Sequence, residues 1–218
     1  MKYLRKFATE AEVFMTKTPN AVLVEDTKKV LYNIDSSGVY IQHIDGTLYR
    51  REDWIGKGFA QSEANGVAVI AEECAFVVAT IKGSAEWADT PALVEGLPSL
   101  NNELAKKDFE GAKNTSLILA AGYETSAAKN CNDYIFPNGT RGYLPSLGEL
   151  IVVERYSGKI DTALSTIGGS AFSSNYFWSS TQASASQAYL YSISGNKIYN
   201  FNKNASGYYY KPFAPLNL

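Results

Sequence analysis

The spacing of apolar residues changes twice along this chain, and this change restricts the possible folds more than any other feature of the sequence. Short strand-like runs occupy residues 21–79. Residues 127–167 instead carry apolar side chains at helical spacing, and from Ser170 onward the pattern of strands and loops returns. A chain that runs from strands through helices to strands predicts an α+β fold.

Turn signals divide the N-terminal strands into hairpins. Asp45-Gly46 is a strong two-residue turn signal, and a polar stretch follows residue 24. We expect a small β-rich module over residues 1–62, followed by a larger domain over residues 63–218. The predicted strands of the first part of the chain cover residues 21–24, 30–32, 39–44, 47–50, 66–70 and 74–79.

Two capping boxes indicate where helices begin. Thr9 with Glu12 predicts a short helix near the N-terminus, and Ser146 with Glu149 predicts a helix in the middle of the chain. A further helix is predicted from apolar residues at helical spacing, Ile160, Ala163, Leu164 and Ile167.

Charge and hydropathy exclude two classes of partner. The net charge of −2 gives no general attraction to nucleic acid or to an anionic membrane. No apolar run approaches the roughly 20 residues that span a bilayer. The N-terminus lacks the apolar core of a secretory signal. We therefore expect no nucleic-acid partner, no membrane insertion, and a location in a phage virion or in the cytoplasm.

The residues that commonly carry catalysis are scarce. His43 is the single histidine, and Cys74 and Cys131 form no CxxC pair, so they predict two small buried hydrophobic residues. Neither a nucleophile elbow nor a phosphate-binding glycine loop occurs. Glu149 is better explained as a capping residue, and Glu154 as a solvated helix position, than as a catalytic pair. We expect no catalytic residue, no metal and no cofactor.

The C-terminal quarter has an unusual composition. Residues 172–211 contain seven Tyr, nine Ser, five Asn and two Gly, and no Asp or Glu follows Asp161. Binding loops use these residue types, because Tyr offers a large stiff contact area while Ser and Asn offer adaptable hydrogen bonds. A half-buried sheet with polar turns would show the same composition, so both interpretations stay open. By strand parity, Leu190, Ser192, Tyr199 and Phe201 share a face that we expect to be exposed.

Three motifs resemble a known family. Residues 142–150 (GYLPSLGEL) resemble the G-x-x-LP-S/T-x-x-E-L/W motif of bacterial C-type-lectin-like domains. Residues 177–182 (FWSSTQ) resemble their YWSSTQ signature, and residues 210–214 (YKPFA) their closing VRPV-A segment. The resemblance covers roughly residues 66–218 and departs at Tyr143, Tyr189 and Tyr210-Lys211. It implies a C-type-lectin-like fold in which Trp178 anchors the core.

Within that family, the chain resembles the variable proteins of diversity-generating retroelements of gut Bacteroidetes and their phages. The resemblance implies a non-enzymatic ligand- or receptor-binding protein, such as a phage tail protein or a cell-surface adhesin. Its partner would be a protein or carbohydrate receptor on a cell surface. The implied ligand-binding positions are Ala183, Ala185, Ser186, Leu190, Ser192, Asn196, Tyr199, Phe201, Asn204, Ser206 and Tyr208.

One alternative function remains beside this interpretation, and a further type of C-type lectin is excluded by the residues. An enzyme of unrecognised chemistry on a formylglycine-generating-enzyme-like scaffold is the alternative function, although no cysteine follows Cys131 to supply the reactive pair of those enzymes. The Ca²⁺-binding triplets EPN, QPD and WND of sugar-binding C-type lectins are absent from the sequence. Homo-oligomerisation through the N-terminal module is also left open.

Overall fold

The computed structural model describes residues 21–24, 29–32, 37–172 and 175–216. A hairpin opens this part of the chain, with β1 (Ala21–Val24) antiparallel to β2 (Lys29–Tyr32), as predicted. The helix predicted from the capping box of Thr9 and Glu12 lies outside the described residues.

A first five-stranded antiparallel sheet joins strands from both halves of the chain. Its order is β12 (Phe213–Pro215), β6 (Ala75–Val78), β5 (Ala64–Ile70), β3 (Gly38–His43) and β4 (Leu48–Tyr49). The turn at Asp45-Gly46 connects β3 to β4 as predicted, and Gly46 takes a φ of 92° that suits glycine. Because β3 pairs directly with β5, the predicted domain boundary between residues 62 and 63 falls between neighbouring strands of one sheet.

A second five-stranded sheet, in the order β10-β9-β8-β11-β7, is built mainly from the C-terminal quarter. Its strands are β7 (Gly83–Ser84), β8 (Tyr176–Gln182), β9 (Gln187–Ser192), β10 (Lys197–Asn202) and β11 (Tyr209–Tyr210). The strands β8, β9 and β10 form an antiparallel meander, and the pairing of β9 with β10 confirms the hairpin predicted around the turn at residues 194–197. In the described part of the chain, β10 is therefore an edge strand.

Most of the described helices lie between β7 and β8 in sequence, whereas the first lies between β4 and β5. They are α1 (Arg51–Lys57), α2 (Asn102–Ala105), α3 (Gly111–Leu119), α4 (Ser126–Asp133), α5 (Leu147–Arg155) and α6 (Ser157–Thr166). The predicted start of α5 is confirmed, because Glu149 Oε2 accepts the Ser146 N–H at 2.7 Å. The sequence did not predict α3, which buries the polar residues Asn114 and Thr115. Within the described ranges, no helix is both long enough and apolar enough to cross a membrane.

The main core lies between the two sheets and includes the helices α5 and α6. Val67 and Phe213 contribute from the first sheet, Leu150 and Leu164 from the helices, and Tyr189 from the second sheet. Both elements of the predicted α+β pattern therefore bury their apolar faces in one cluster.

A separate hydrophobic cluster covers the opposite face of the second sheet. Trp178 and Leu190 of the sheet pack there with Trp87, Val94 and Ile118. The predicted core position of Trp178 is confirmed, since its side chain is 0% exposed. The second sheet is consequently buried on both faces along much of β8 and β9.

Candidate functional site

Four aromatic side chains form a partly exposed patch at the edge of the second sheet. We call Tyr176, Tyr199, Phe201 and Tyr208 the aromatic patch. Tyr176 is 43% exposed and Phe201 39% exposed, while the other two are partly buried. The Tyr208 ring lies 5.0 Å from that of Phe201 and 6.2 Å from that of Tyr176, and the Tyr176 and Tyr199 rings are 5.6 Å apart. Tyr208 also contacts the buried Trp178, so the patch rests on the core.

Strand register explains why these residues meet. Tyr199 lies opposite Leu190, and Phe201 opposite Ala188, so their side chains share one face of the sheet. The predicted shared face of Leu190, Tyr199 and Phe201 is therefore correct. Its predicted exposure at Leu190 and Ser192 is wrong, because these residues are 0% and 6% exposed. The segment that carries Trp87 packs over Leu190 and buries it. Strand parity could not predict this burial, because that segment is distant in the sequence.

The remaining predicted positions occupy both ends of the β9–β10 hairpin. Asn196 lies in the turn, where its Oδ1 accepts the Tyr191 hydroxyl at 2.7 Å. A second group lies at the opposite end, where the Lys203 N–H donates to the Ser186 carbonyl at 2.9 Å. The members of that group are Ala183, Ala185, Ser186, Asn204 and Ser206, of which Ala183 is partly buried and the others are exposed. The structure thus leaves nine of the eleven positions at least partly accessible, Leu190 and Ser192 being buried.

A polar groove lies on the other face of the same hairpin. Its volume is ≈ 560 Å³, and its lining includes Asn102, Ala183, Gln187, Tyr189 and Asn200. The Tyr189 hydroxyl donates to the Leu100 carbonyl at 2.8 Å, which fixes one wall of the groove. Ala183 therefore lies apart from the aromatic patch, and the predicted positions do not form a single surface.

Tyr176 is a patch residue that the sequence prediction missed. It precedes the FWSSTQ motif and has the same parity in β8 as Trp178, so the period of two placed it on the patch face. Its register partner is Ser192, near the hairpin turn. The parity signal was thus present, but only the register showed that Tyr176 reaches Tyr199.

Among the carboxyl groups of the described residues, Glu149 has the pKa that its surroundings change most. Burial raises its pKa to about 7, although hydrogen bonds from Ser146 and Tyr143 act in the opposite direction. The Tyr143 hydroxyl donates to Oε1 at 2.8 Å. Nearby Cys74 has a pKa raised to about 12, mainly by burial, so its thiol stays protonated at neutral pH and is a poor nucleophile. These contacts agree with the capping role predicted for Glu149.

The other candidate reactive residues have structural surroundings. Cys74 and Cys131 are both buried and unpaired, as predicted. His43 Nδ1 lies 3.1 Å from Asp45 Oδ1, and the imidazole ring packs 5.1 Å from the ring of Phe59. In the ranges that the structure covers, no three His, Cys, Asp or Glu side chains come close enough together to hold a metal ion.

Comparison with known proteins gives one structural likeness. A fimbrial protein from Bacteroides ovatus has a similar structure, with a TM-score of 0.62 and 14% sequence identity. The match covers 88% of this chain and 56% of that protein, so the chain spans little more than half of its length. At this identity the likeness concerns the fold alone. No protein-family model matches the sequence, and no curated protein does.

Proposed function

We propose that this chain is a non-enzymatic binding protein that contacts a protein or carbohydrate receptor at a cell surface. The aromatic patch is the observation that carries this proposal. A contiguous patch of exposed aromatic side chains usually marks an interaction site, and aromatic residues supply much of the energy at interfaces. Tyrosine suits this role, because its ring offers contact area while its hydroxyl can form hydrogen bonds.

The neighbouring loops support a contact surface larger than the patch. Ala185, Ser186, Asn204 and Ser206 are exposed beside Phe201, at the end of the hairpin where the chain leaves β10. Small polar residues around aromatic anchors are typical of adaptable binding surfaces. Leu190 and Ser192 drop out of the proposed site, since contact with a partner requires accessible atoms.

The proposal includes a C-type-lectin-like scaffold and a place on a phage tail or a cell surface. The order of the GYLPSLGEL, FWSSTQ and YKPFA motifs supports it, as does the burial of their Leu144, Trp178 and Phe213. The fimbrial structure from Bacteroides ovatus supports a surface location only as a likeness of fold. The most specific part of the proposal is that the gene is diversified at the exposed positions.

The test combines binding with stability. Purified protein is applied to arrays of glycans and of extracellular protein domains, beside a Tyr199→Ser/Phe201→Ser double variant. Leu93→Ser is the matched control, because Leu93 is 61% exposed and lies outside the patch. We expect the double variant to lose binding and the control to keep it. Each variant should cost no more than about 1 kcal/mol of stability.

Two results would contradict the proposal. Equal binding by the double variant and the unaltered protein would show that the patch is not the contact surface. Unfolding of the double variant would show that Tyr199 and Phe201 act as core residues of the sheet. Sequencing the same locus in sister isolates tests the diversification separately, since it expects changes to cluster at the exposed positions.

A further inference from the structure

The hydrogen bonds of β10 show which of its residues face away from the sheet. In an antiparallel pair, opposed residues alternate between those that bond to each other and those that do not. Lys203, which continues the β9–β10 register, donates its N–H to Ser186 at 2.9 Å. The odd-numbered residues of β10 therefore form the hydrogen-bonded pairs with β9, as Tyr199 does with Leu190. The even-numbered residues Ile198, Asn200 and Asn202 direct their peptide groups outward.

The bonding of β9 supports the same assignment. The carbonyl of Tyr189, the residue opposite Asn200, accepts the Ser179 hydroxyl of β8 at 3.0 Å. It therefore points toward β8 and away from β10, which leaves the Asn200 peptide groups facing outward. The Asn202 carbonyl accepts the Ala205 N–H at 3.0 Å. The N–H and C=O groups of Ile198 and Asn200, with the N–H of Asn202, have no partner among the described residues.

This edge lacks most of the features that keep strands from pairing. It contains six residues, KIYNFN, with no proline and a single charge at Lys197. Apart from the Ala205 N–H at the Asn202 carbonyl, no helix, loop or further strand among the described residues bonds to its outer side. An uncovered strand of this length, with Ile198, Tyr199 and Phe201 within it, is a ready template for another extended chain.

Side chains on the patch face indicate what such a chain would carry. Residues added opposite Tyr199 and Phe201 would meet their aromatic rings at the shorter cross-strand spacing. A residue opposite Lys197 would meet an exposed ammonium group that lies 5.3 Å from the Tyr199 ring centre. No Asp or Glu follows Asp161, and Glu103 beside Asn200 in the polar groove is paired with Lys106 at 2.7 Å. Apolar residues and one carboxylate in alternate positions are complementary to this face.

We propose that β10 binds an extended segment of a partner protein, which adds to the second sheet as a further antiparallel strand. The segment carries apolar side chains over the aromatic patch and a carboxylate at Lys197. This inference rests on the proposed function and specifies how the partner is held. Main-chain bonds to Ile198 and Asn200 hold the segment, and the patch selects its side chains.

Amide hydrogen exchange and a synthetic peptide test the geometry. In the free protein, we expect slow exchange at Tyr199 and Phe201 and fast exchange at Ile198 and Asn200. The probe is a peptide whose core reads Thr-Val-Thr-Val-Thr-Glu, which places valines opposite the patch and the glutamate opposite Lys197. At millimolar peptide we expect new protection at Ile198 and Asn200. A scrambled peptide of the same composition is the control.

Asn200→Pro separates main-chain from side-chain binding. An outward N–H makes no bond within the sheet, so proline is tolerated at this edge while it blocks an added strand. Asn200→Thr removes the same side chain and keeps the N–H. We expect Asn200→Pro to weaken peptide binding at least about tenfold relative to Asn200→Thr. If the proline variant fails to fold, a peptide N-methylated at the residue opposite Asn200 removes the reciprocal bond of the same pair, in which the peptide N–H donates to the Asn200 carbonyl.

The outcomes distinguish this inference from the proposed function. Absence of exchange alternation along β10, absence of peptide binding at millimolar concentration, or equal binding by both Asn200 variants would each overturn strand addition. The array test of the aromatic patch could still succeed in all three cases. Sedimentation could reveal a dimer that Asn200→Pro dissociates. This result would show that a second copy of this chain occupies the edge, and it would overturn the proposal that a different protein supplies the segment.

Discussion

The Lys203 ammonium group donates to Gln182 Oε1 at 2.6 Å inside the cluster that covers the second sheet. Lys203 also donates to the Ala92 carbonyl at 2.6 Å, and its Nζ lies 4.5 Å from the Trp87 ring centre. Gln182 accepts the Val94 N–H at 3.1 Å and donates to the Leu97 carbonyl at 3.0 Å. The two side chains thus hold the covering segment on the sheet beneath the aromatic patch.

Gln182→Ala should destabilise the protein by about 3 kcal/mol, because it leaves the buried Val94 N–H and the Lys203 ammonium group short of an acceptor. Urea unfolding measures the change in free energy. Gln187→Ala is the matched control, since Gln187 is only partly buried and lies outside this network. Similar losses in the two variants would show that the Gln182 network contributes little.

Trp178→Ala should cost about 3–5 kcal/mol, as truncation of a fully buried tryptophan leaves a cavity. The change also removes the indole N–H that donates to the Ala85 carbonyl at 3.0 Å. Tyr176→Ser, two residues away on the same face, should change stability by less than about 1 kcal/mol. Thermal melts of both variants check the contrast, and an unaltered melting temperature for Trp178→Ala would refute the core assignment.

Glu149 should make the folding free energy depend on pH in the acid range. Its pKa is about 7 in the folded protein, against 4.5 for an ordinary glutamate. The folded state therefore binds the Glu149 proton more tightly than the unfolded state does. The stabilisation that results is complete below pH 4.5 and is lost as the pH rises to about 7. Glu149→Gln keeps a capping acceptor and should remove a slope of up to about 1.4 kcal/mol per pH unit. Urea titrations from pH 4 to about pH 8 measure both slopes; parallel curves would mean that the buried carboxyl is already ionised in acid.

Lys211 should have the opposite dependence at higher pH. Burial lowers its pKa to about 7, against 10.5 ordinarily, with Lys82 acting in the same direction and Asp161 against it. The unfolded chain binds the extra proton between these two values, so stability should rise with pH across that range. Lys211→Met should remove up to about 1.4 kcal/mol per pH unit of this rise. Unfolding curves at pH 6 through about pH 9.5 test it, and an identical rise in both proteins would exclude Lys211 as its source.

Local signals in the sequence identified much of the secondary structure. The Asp45-Gly46 turn, the helix start at Ser146 and Glu149, and the hairpin of β9 and β10 were all predicted and are present. These features depend on residues a few positions apart, which a sequence displays directly. The helices α1 and α3 were missed, because α1 buries only Trp54 and α3 buries polar residues that give no apolar period.

What covers each face depended on tertiary structure. Parity alone placed Leu190, Tyr199 and Phe201 on one face, and the register agrees. Only the fold shows that residues near Trp87 bury Leu190 while they leave Phe201 exposed, because the covering segment is far away in the sequence. The buried position of Lys203 was equally unpredictable, since its acceptors come from Ala92 and Gln182. Sequence alone thus determined the side of the sheet on which each residue lies, and the packing of distant segments decided which of them a partner can reach.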